Sequence, residues 1–422
     1  MRKYVKNIGF ISTRIAGTDG VSLELEKWAD VLRGNNFNCF YFAGLLDRPA
    51  KYSFLVEEAH FEHPEIRKIN QECFGHRKRP REMSELIQGL KDYLKEKIYQ
   101  FVEEFEIDLI IPENALTIPM NIPLGLALSE FVAENCFPTI AHHHDFYWER
   151  DRFLINAVED YLQSAFPPVL HSIQHVVINS LASEQLSHRK GVSNTIIPNV
   201  YDFDSPPPPS PDHNCKELRT IIGLEEDDVF VLQPTRIVPR KWIERSIEIV
   251  YRMQLKNPKL VISHAAGDEG SEYADRIKEY AKHWNVELVT IDHIIGPKRG
   301  VDKSGQKIFT ISDVYQCADL ITYPSGYEGF GNAFLEAIYF RKPLVANRYT
   351  IYIADIEPRE FEVISFDGFV TTKTINQIQE VLNNENLRKR MLDRNYELAR
   401  KYFSYRFLEH SLLHLIKLCE AY

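Results

Sequence analysis

A chain of 422 residues, 44% hydrophobic and 26% charged, is too long for one ordinary core and too evenly mixed for a fibrous or disordered protein, so two domains of about 200 residues each are expected. The formal net charge of -10 and a pI near 5.9 argue against a nucleic-acid binder, and no apolar run approaches the roughly 20 residues of a membrane span. The six cysteines (Cys39, Cys73, Cys136, Cys215, Cys317 and Cys419) show no paired spacing, and Met1-Arg2-Lys3 leads into no signal-like apolar segment, so neither disulfides nor a zinc site is expected and the cytoplasm is the expected location.

The opening reads as a βαβ start. Asn7 to Ser12 is a short apolar strand, Thr13 to Gly20 a polar glycine-bearing loop, Val21 to Leu32 a helix by its apolar spacing, and Asn38 to Ala43 a second strand. The basic run Gly75-His76-Arg77-Lys78-Arg79-Pro80-Arg81 is expected as a solvated loop, with an anionic acceptor or an acidic membrane surface as the alternative role. A long helix over Glu82 to Phe105 feeds a strand at Asp108 to Ile111, followed by Pro112-Glu113-Asn114. A further helix near Asn121 to Asn135 leads to a strand near Pro138 to Ala141. Such alternation specifies a parallel sheet covered by helices, with ligands at the carboxyl ends of its strands.

The proline run Ser205 to Pro211 cannot continue a helix or a central strand, so it reads as a stiff connector. Expected boundaries are residues 1–204 for the first domain and 212–402 for the second, with a terminal helix at about 403–422 that can fold back on the first. The second series has strands at Val229 to Leu232, near Leu260 to Ser263, near Glu287 to Ile291 and at Leu320 to Tyr323, with helices at Ile243 to Met253 and Glu272 to His283.

Chemistry concentrates in the stretch Pro324-Ser325-Gly326-Tyr327-Glu328-Gly329-Phe330-Gly331-Asn332, which continues to Glu336. It reads as strand, glycine loop, helix. Gly329 and Gly331 permit close backbone approach, and Asn332 is expected to cap a helix whose first amides suit a diphosphate. Glu336, one turn in, could accept hydrogen bonds from ribose hydroxyls, and Glu328 sits nearer a bound sugar. Arg236 and Lys241, after the first strand of the second domain, are the expected cations for a leaving diphosphate.

With these residues in place, the chain resembles the family 4 retaining glycosyltransferases. They carry a Glu, seven residues, Glu motif after a Pro-Ser turn, here Glu328 to Glu336, and an Arg with a Lys five residues later, here Arg236 and Lys241. The resemblance implies a GT-B architecture: α/β, two Rossmann-like domains with parallel sheets facing a central cleft, the first for the acceptor and the second for the nucleotide-sugar donor. It implies catalytic roles for Arg236, Lys241, Glu328 and His144, and a donor site of Gly17, Gly329, Phe330, Gly331, Asn332 and Glu336. Acceptor contacts would come from Thr18, Asp19, Asp145 and Arg150. Two departures stand out: the glycines usual before the Arg and after the Lys are Thr235 and Trp242. The loop Pro343 to Tyr349 also lacks the family's paired glycines.

The run His142-His143-His144-Asp145-Phe146-Tyr147-Trp148-Glu149-Arg150 invites a metal reading. Strand alternation lets only His142 and His144 share a face, and no third ligand of suitable spacing is visible, so no metal is expected. By position His144 matches the histidine that touches the transferred sugar in the family. Asp202-Phe203-Asp204 has a metal-holding spacing but is expected to be structural, and Gly267 to Gly270 is expected as a loop.

The His-His-His-Asp-Phe-Tyr-Trp-Glu-Arg and Asn-Arg-Tyr-Thr-Ile-Tyr runs are similar to those of mannosyltransferases that build mannosylglucosylglycerate. That likeness implies mannose from GDP-mannose, with UDP-glucose as the other donor, passing to a small soluble anionic acceptor such as glucosylglycerate. No further cofactor, nucleic-acid partner or membrane insertion is expected, and the oligomeric state is left open. The rival functions are a GT-B-like phosphorylase or epimerase, and a non-catalytic sugar-nucleotide sensor.

Overall fold

The computed structural model describes residues 4–17, 19–207, 213–264 and 272–420. The chain divides into two compact units, Met1–Val200 with Tyr405–Tyr422, and Tyr201–Ser404.

The first unit is built on seven parallel strands: β1 (Asn7–Ile11), β2 (Asn38–Ala43), β3 (Ser53–Leu55), β4 (Leu109–Pro112), β5 (Thr139–His143), β6 (Ile173–Val177) and β7 (Asn194–Ile196). Their order is β3-β2-β1-β4-β5-β6-β7, so the sheet reverses direction of growth between β1 and β4. At such a switch point the loops diverge and leave room for a ligand. Helices α1 (Gly20–Gly34), α2 (Pro64–Cys73), α3 (Arg81–Glu104), α4 (Ile122–Asn135), α5 (Asp151–Leu154), α6 (Glu159–Ala165) and α7 (Ser180–Lys190) make the crossovers. Central strands read as continuous apolar runs because both faces are covered: all four residues of β4 and all five of β5 are buried.

The second unit has a six-stranded parallel sheet. In chain order its elements are α8 (His213–Ile221), β8 (Val231–Gln233), α9 (Ile243–Arg252), β9 (Lys259–Ile262), α10 (Glu272–His283) and β10 (Glu287–Thr290). An antiparallel pair β11 (Gly300–Val301) and β12 (Lys307–Ile308) precedes α11 (Ile311–Cys317), β13 (Leu320–Tyr323), α12 (Asn332–Tyr339), β14 (Leu344–Asn347), β15 (Ile364–Phe366), α13 (Thr372–Asn383) and α14 (Glu385–Tyr402). The order β10-β9-β8-β13-β14-β15 again switches at the first strand, here between β8 and β13.

The final helix, α15 (Tyr405–Cys419), belongs to the first unit, where Leu408, Leu412, Leu415 and Ile416 join Trp28, Leu25 and Leu32 of α1 in one buried cluster. At the other crossing the second unit begins at Tyr201, ahead of the proline run. The Tyr201 amide donates to Phe403 O at 2.9 Å, the Tyr396 hydroxyl to Phe203 O at 2.9 Å, and the Phe203 ring is buried against Tyr396 and Tyr339. Asp202 and Asp204 therefore flank an anchoring aromatic. Pro208 to Pro211 and the Gly267 to Gly270 segment lie outside the described residues. Two of the scattered cysteines do meet, since the thiols of Cys215 on α8 and Cys317 on α11 share a hydrogen bond; both are free. Among the described residues no helix is long and apolar enough to cross a membrane.

Candidate active site

In the second unit the loops after β8 and β13 hold the candidate residues. The loop after β8 brings Lys241 into an ion pair with Glu328, each side chain only 9% exposed. Arg240, absent from the sequence expectation, holds the other carboxylate oxygen at 3.1 Å. Burial pushes the Glu328 carboxyl upward, but the charges and hydrogen bonds of Lys241 and Arg240 outweigh it and hold the group below the usual carboxylate range. Lys241 titrates below the usual ammonium range. Burial is the main cause, and the repulsion of Arg240 and Arg236 adds to it, so one carboxylate does not offset the whole. The pair is thus asymmetric: Glu328 answers to two cations, and Lys241 shares its only named anion with a second one. The Lys241 ammonium also lies 5.2 Å from the Tyr323 ring centroid. Arg236 is exposed on the same loop.

The glycine loop then turns into α12. Gly331, and not Asn332, occupies the cap position, with φ 115° and ψ 73°; Asn332 is the first helical residue. The reason lies in the preceding residue. The Tyr349 hydroxyl donates to Phe330 O at 2.7 Å, and a Cβ at position 331 would lie 2.6 Å from that hydroxyl oxygen, so only glycine fits the conformation and the space. Phe330 itself turns its ring into the core against Phe403, 5.2 Å between centroids, while Gly329 stays half-buried. Glu336, one turn into α12, accepts from the Tyr315 hydroxyl at 2.6 Å. Burial, then the Glu336 charge, push that phenol well above its ordinary value, so it remains a donor.

Trp242, where the family has glycine, adopts the left-handed backbone that glycine favours, with φ 46° and ψ 48°. Its indole covers Gly326, where an added Cβ would come 2.5 Å from the ring.

In the first unit the candidates split. The Gly17 amide, at φ 77°, is taken by the Asp47 carboxylate at 2.7 Å. Thr18 lies outside the described residues. Asp19 caps α1, accepting from the amides of Val21 and Ser22 at 3.2 Å each, and pairs with Arg14 at 3.1 Å. Asp145 pairs with Arg150 and accepts from Asn114 Nδ2 at 3.1 Å. In the basic run, Arg79 is held by Asp160 at 2.8 Å, whereas His76, Arg77 and Lys78 are exposed.

The histidine run lies at the end of β5, and alternation sorts it as its spacing predicts. His143 points to His175 at 2.9 Å, both buried and both pushed down in pKa chiefly by that burial, His175 to about 4. His142 and His144 face the other way, ring centroids 4.5 Å apart. The expected lack of a third group is corrected here. Glu113, directly after β4, reaches His142 Nδ1 at 2.9 Å and His144 Nε2 at 2.5 Å, and the three residues place candidate ligand atoms within 4.8 Å of one another. Only the pairing of β4 beside β5 joins residues 29 and 31 apart in sequence. These separations, both to Glu113 Oε1, are hydrogen-bond lengths.

Residues 215–398 match the model of the glycosyl transferases group 1 family. The chain is 34% identical to a mannosylglucosylglycerate synthase of Petrotoga mobilis over 388 residues, covering 85% of this chain and 86% of the relative. It is 30% identical to the mannosylglucosylglycerate synthase of Thermotoga maritima, with 95% and 97% covered. The chain belongs to this glycosyltransferase family.

Among solved structures, sucrose-phosphate synthase of Thermosynechococcus elongatus matches with a TM-score of 0.67 at 15% identity, covering 99% of both chains. Anabaena HepE, in complex with UDP-glucose, matches with 0.63 at 15%, covering 98% and 99%. These likenesses show the fold, the GT-B arrangement of two parallel-sheet units that the sequence implied. The glycosyltransferase thus carries Lys241, Glu328 and Glu336 at the carboxyl ends of its second sheet, where ligands gather in such sheets.

Proposed function

We propose that this glycosyltransferase is a retaining mannosyltransferase moving mannose from GDP-mannose to a small anionic acceptor such as glucosylglycerate. The observation that carries the reading is the cluster of Lys241 and Arg240 on Glu328 beside the N-terminus of α12, with Glu336 a turn further on. Cations next to a helix N-terminus suit a diphosphate, and the named relatives supply the sugar and the acceptor.

In this reading the second unit is the donor domain and the first the acceptor domain. Glu336 binds the ribose, with Gly17, Gly329, Gly331 and Asn332 lining the donor and Phe330 supporting the loop. Arg236 and Lys241 stabilise the departing diphosphate, and Glu328 holds Lys241 in place and meets the sugar. His144 meets the transferred hexose; Thr18, Asp19, Asp145 and Arg150 stand on the acceptor side. A double displacement uses a carboxylate nucleophile beneath the sugar carbon, whereas Glu328 is engaged by Lys241 and Arg240 and Glu336 accepts from the Tyr315 hydroxyl, so neither is given that role. The reaction is therefore a front-face one: the bond from the anomeric carbon to the phosphate oxygen breaks, the bond to the acceptor oxygen forms on the same face, and the acceptor proton passes to the leaving diphosphate. No metal is required.

The test is an assay of GDP release with glucosylglycerate as acceptor, with and without a chelator, and NMR of the product. An α-mannosyl product formed irrespective of chelation supports the reading; inversion, or activity with UDP-glucose alone, removes the corresponding part. Glu336→Ala is expected to weaken nucleotide binding about ten- to a hundredfold, since hydrogen bonds to a charged group contribute about 1.5–3 kcal/mol. Unchanged donor affinity would count against its placement.

A further inference from the structure

Glu113 and Asn114 form a bracket at the switch point of the first sheet. The Glu113 amide donates to Ile11 O at 2.8 Å, its carbonyl accepts from the Ser12 hydroxyl at 3.0 Å, and its carboxylate is wholly buried. Asn114 has a left-handed backbone, φ 57°, and its amide donates to His142 O at 2.9 Å. Its Oδ1 accepts from the His144 amide at 3.1 Å and from the Thr117 hydroxyl at 2.8 Å, while its Nδ2 reaches Asp145. The backbone of His144 is thus held by Asn114 and its ring by Glu113.

The proton assignment follows from what each nitrogen meets. An ionised carboxylate accepts only, so both imidazoles must donate to it, His142 through Nδ1 and His144 through Nε2. His142 Nε2 is buried with no hydrogen-bond partner, and the ring lies against Trp28 at 4.0 Å between centroids, which suits a neutral imidazole fixed as a prop. His144 differs in keeping about a tenth of its side-chain surface exposed. Burial pushes the Glu113 carboxyl upward but the two imidazoles more than reverse it, so it stays ionised; for His144 the downward push of burial is reversed by Glu113, then by Glu24 of α1 and Asp145.

We infer that Glu113 and Asn114 are positioning residues for His144: they lock its ring with Nε2–H on Glu113 and leave Nδ1 as the nitrogen presented to the transferred hexose. This rests on the glycosyltransferase reading for the identity of the hexose, but not for the lock itself. With Nε2–H held on Glu113 in either charge state, Nδ1 meets a sugar hydroxyl as acceptor when the ring is neutral and as donor when it carries the proton that Glu113 and Asp145 favour. Freed from Glu113, the ring could rotate and exchange tautomers, and the hydroxyl would lose a fixed partner.

Two measurements on the full-length chain test it. Histidine 15N long-range NMR across a pH titration, with His144 assigned by its loss in His144→Gln, is expected to show a proton on His144 Nε2 throughout, with Nδ1 the nitrogen that gains or loses one. A neutral ring protonated on Nδ1 and not on Nε2 overturns the inference whether or not any transfer activity has been found. In steady-state assays Glu113→Gln and Asn114→Ala are each expected to lower kcat about ten- to a hundredfold with little change in the KM for the sugar nucleotide. In a His144→Ala background each is expected to cost less than about twofold, because it has lost the ring through which it acts. Full, multiplicative losses in that background overturn the inference. So does zinc that co-purifies one to one and whose removal displaces the His142 and His144 signals, since the three residues would then be ligands. A wild-type protein inactive with every sugar nucleotide defeats the proposed function instead, and the NMR result still decides the lock.

Discussion

Glu328→Gln isolates the ionic knot of the second unit. The substitution keeps the side chain's shape and removes the charge that compensates Lys241, itself 9% exposed. Removing one partner of a buried ion pair costs about 3–5 kcal/mol, because the remaining charge has lost water without gaining a counterion. Arg240, 39% exposed, can turn to solvent and relieve part of this, so about 3 kcal/mol is expected. For a unit of about 200 residues that lowers the midpoint of its thermal transition by about 10 °C. Lys241→Met in the same chain removes the orphaned charge, and the double variant should regain most of the loss, since a buried pair replaced by apolar groups of similar volume is often close to neutral. A nucleoside diphosphate should also restore part of it in the single variant, its phosphates standing in for the lost carboxylate. Differential scanning calorimetry of the four proteins, with and without GDP, closes the double-mutant cycle. A loss below about 1 kcal/mol for Glu328→Gln, or no recovery in the double variant, would show that Lys241 is not a desolvated cation and would refute the reasoning.

Acid should destabilise the first unit through His175. Its folded value is about 4 because burial disfavours the charged form, against about 6.5 in the unfolded chain. Above 6.5 both states are neutral and nothing is at stake; as pH falls from 6.5 to 4 the unfolded chain takes up a proton that the folded one does not, and about 3 kcal/mol of stability is lost. Urea titrations of the wild type and of His175→Phe should converge on this slope and its absence, respectively; equal slopes would remove His175 as the cause. Gly326→Ala should cost about 1–3 kcal/mol, because its Cβ would lie 2.5 Å from the Trp242 indole, and that cost should largely vanish in a Trp242→Gly background. The same penalty in both backgrounds would mean the indole is not what fills the space.

The local patterns in the chain determined a great deal. Apolar runs and helical spacings located β2, α10 and β13 at their observed limits: β13 is buried along its whole length and reads as a continuous apolar run, and α10 buries one face at helical spacing. The glycine loop and the pair Glu328 and Glu336 were visible because a strand, a glycine turn and the first turn of a helix place their marker residues at short spacing. Period-two alternation also sorted the histidine run, sending His143 one way and His142 and His144 the other. Even so, local rules mislead where a distant group decides: Asn332 looks like a cap until Tyr349, 17 positions on, ties the carbonyl of Phe330 and turns Gly331 into that place.

What only the tertiary structure decided is which side chains meet across strands. Arg240 was one of three basic residues in a loop, with nothing in the spacing to direct it onto Glu328, 88 residues later. Glu113 reaches His142 and His144 because β4 pairs with β5, and that register sets a carboxylate of one strand end against two imidazoles of the next. Sequence spacing carries information about one element at a time, since a helix or strand repeats every few residues. The charge balance of a buried group is a sum over neighbours that the chain brings together from far apart, and only the packed sheet shows it.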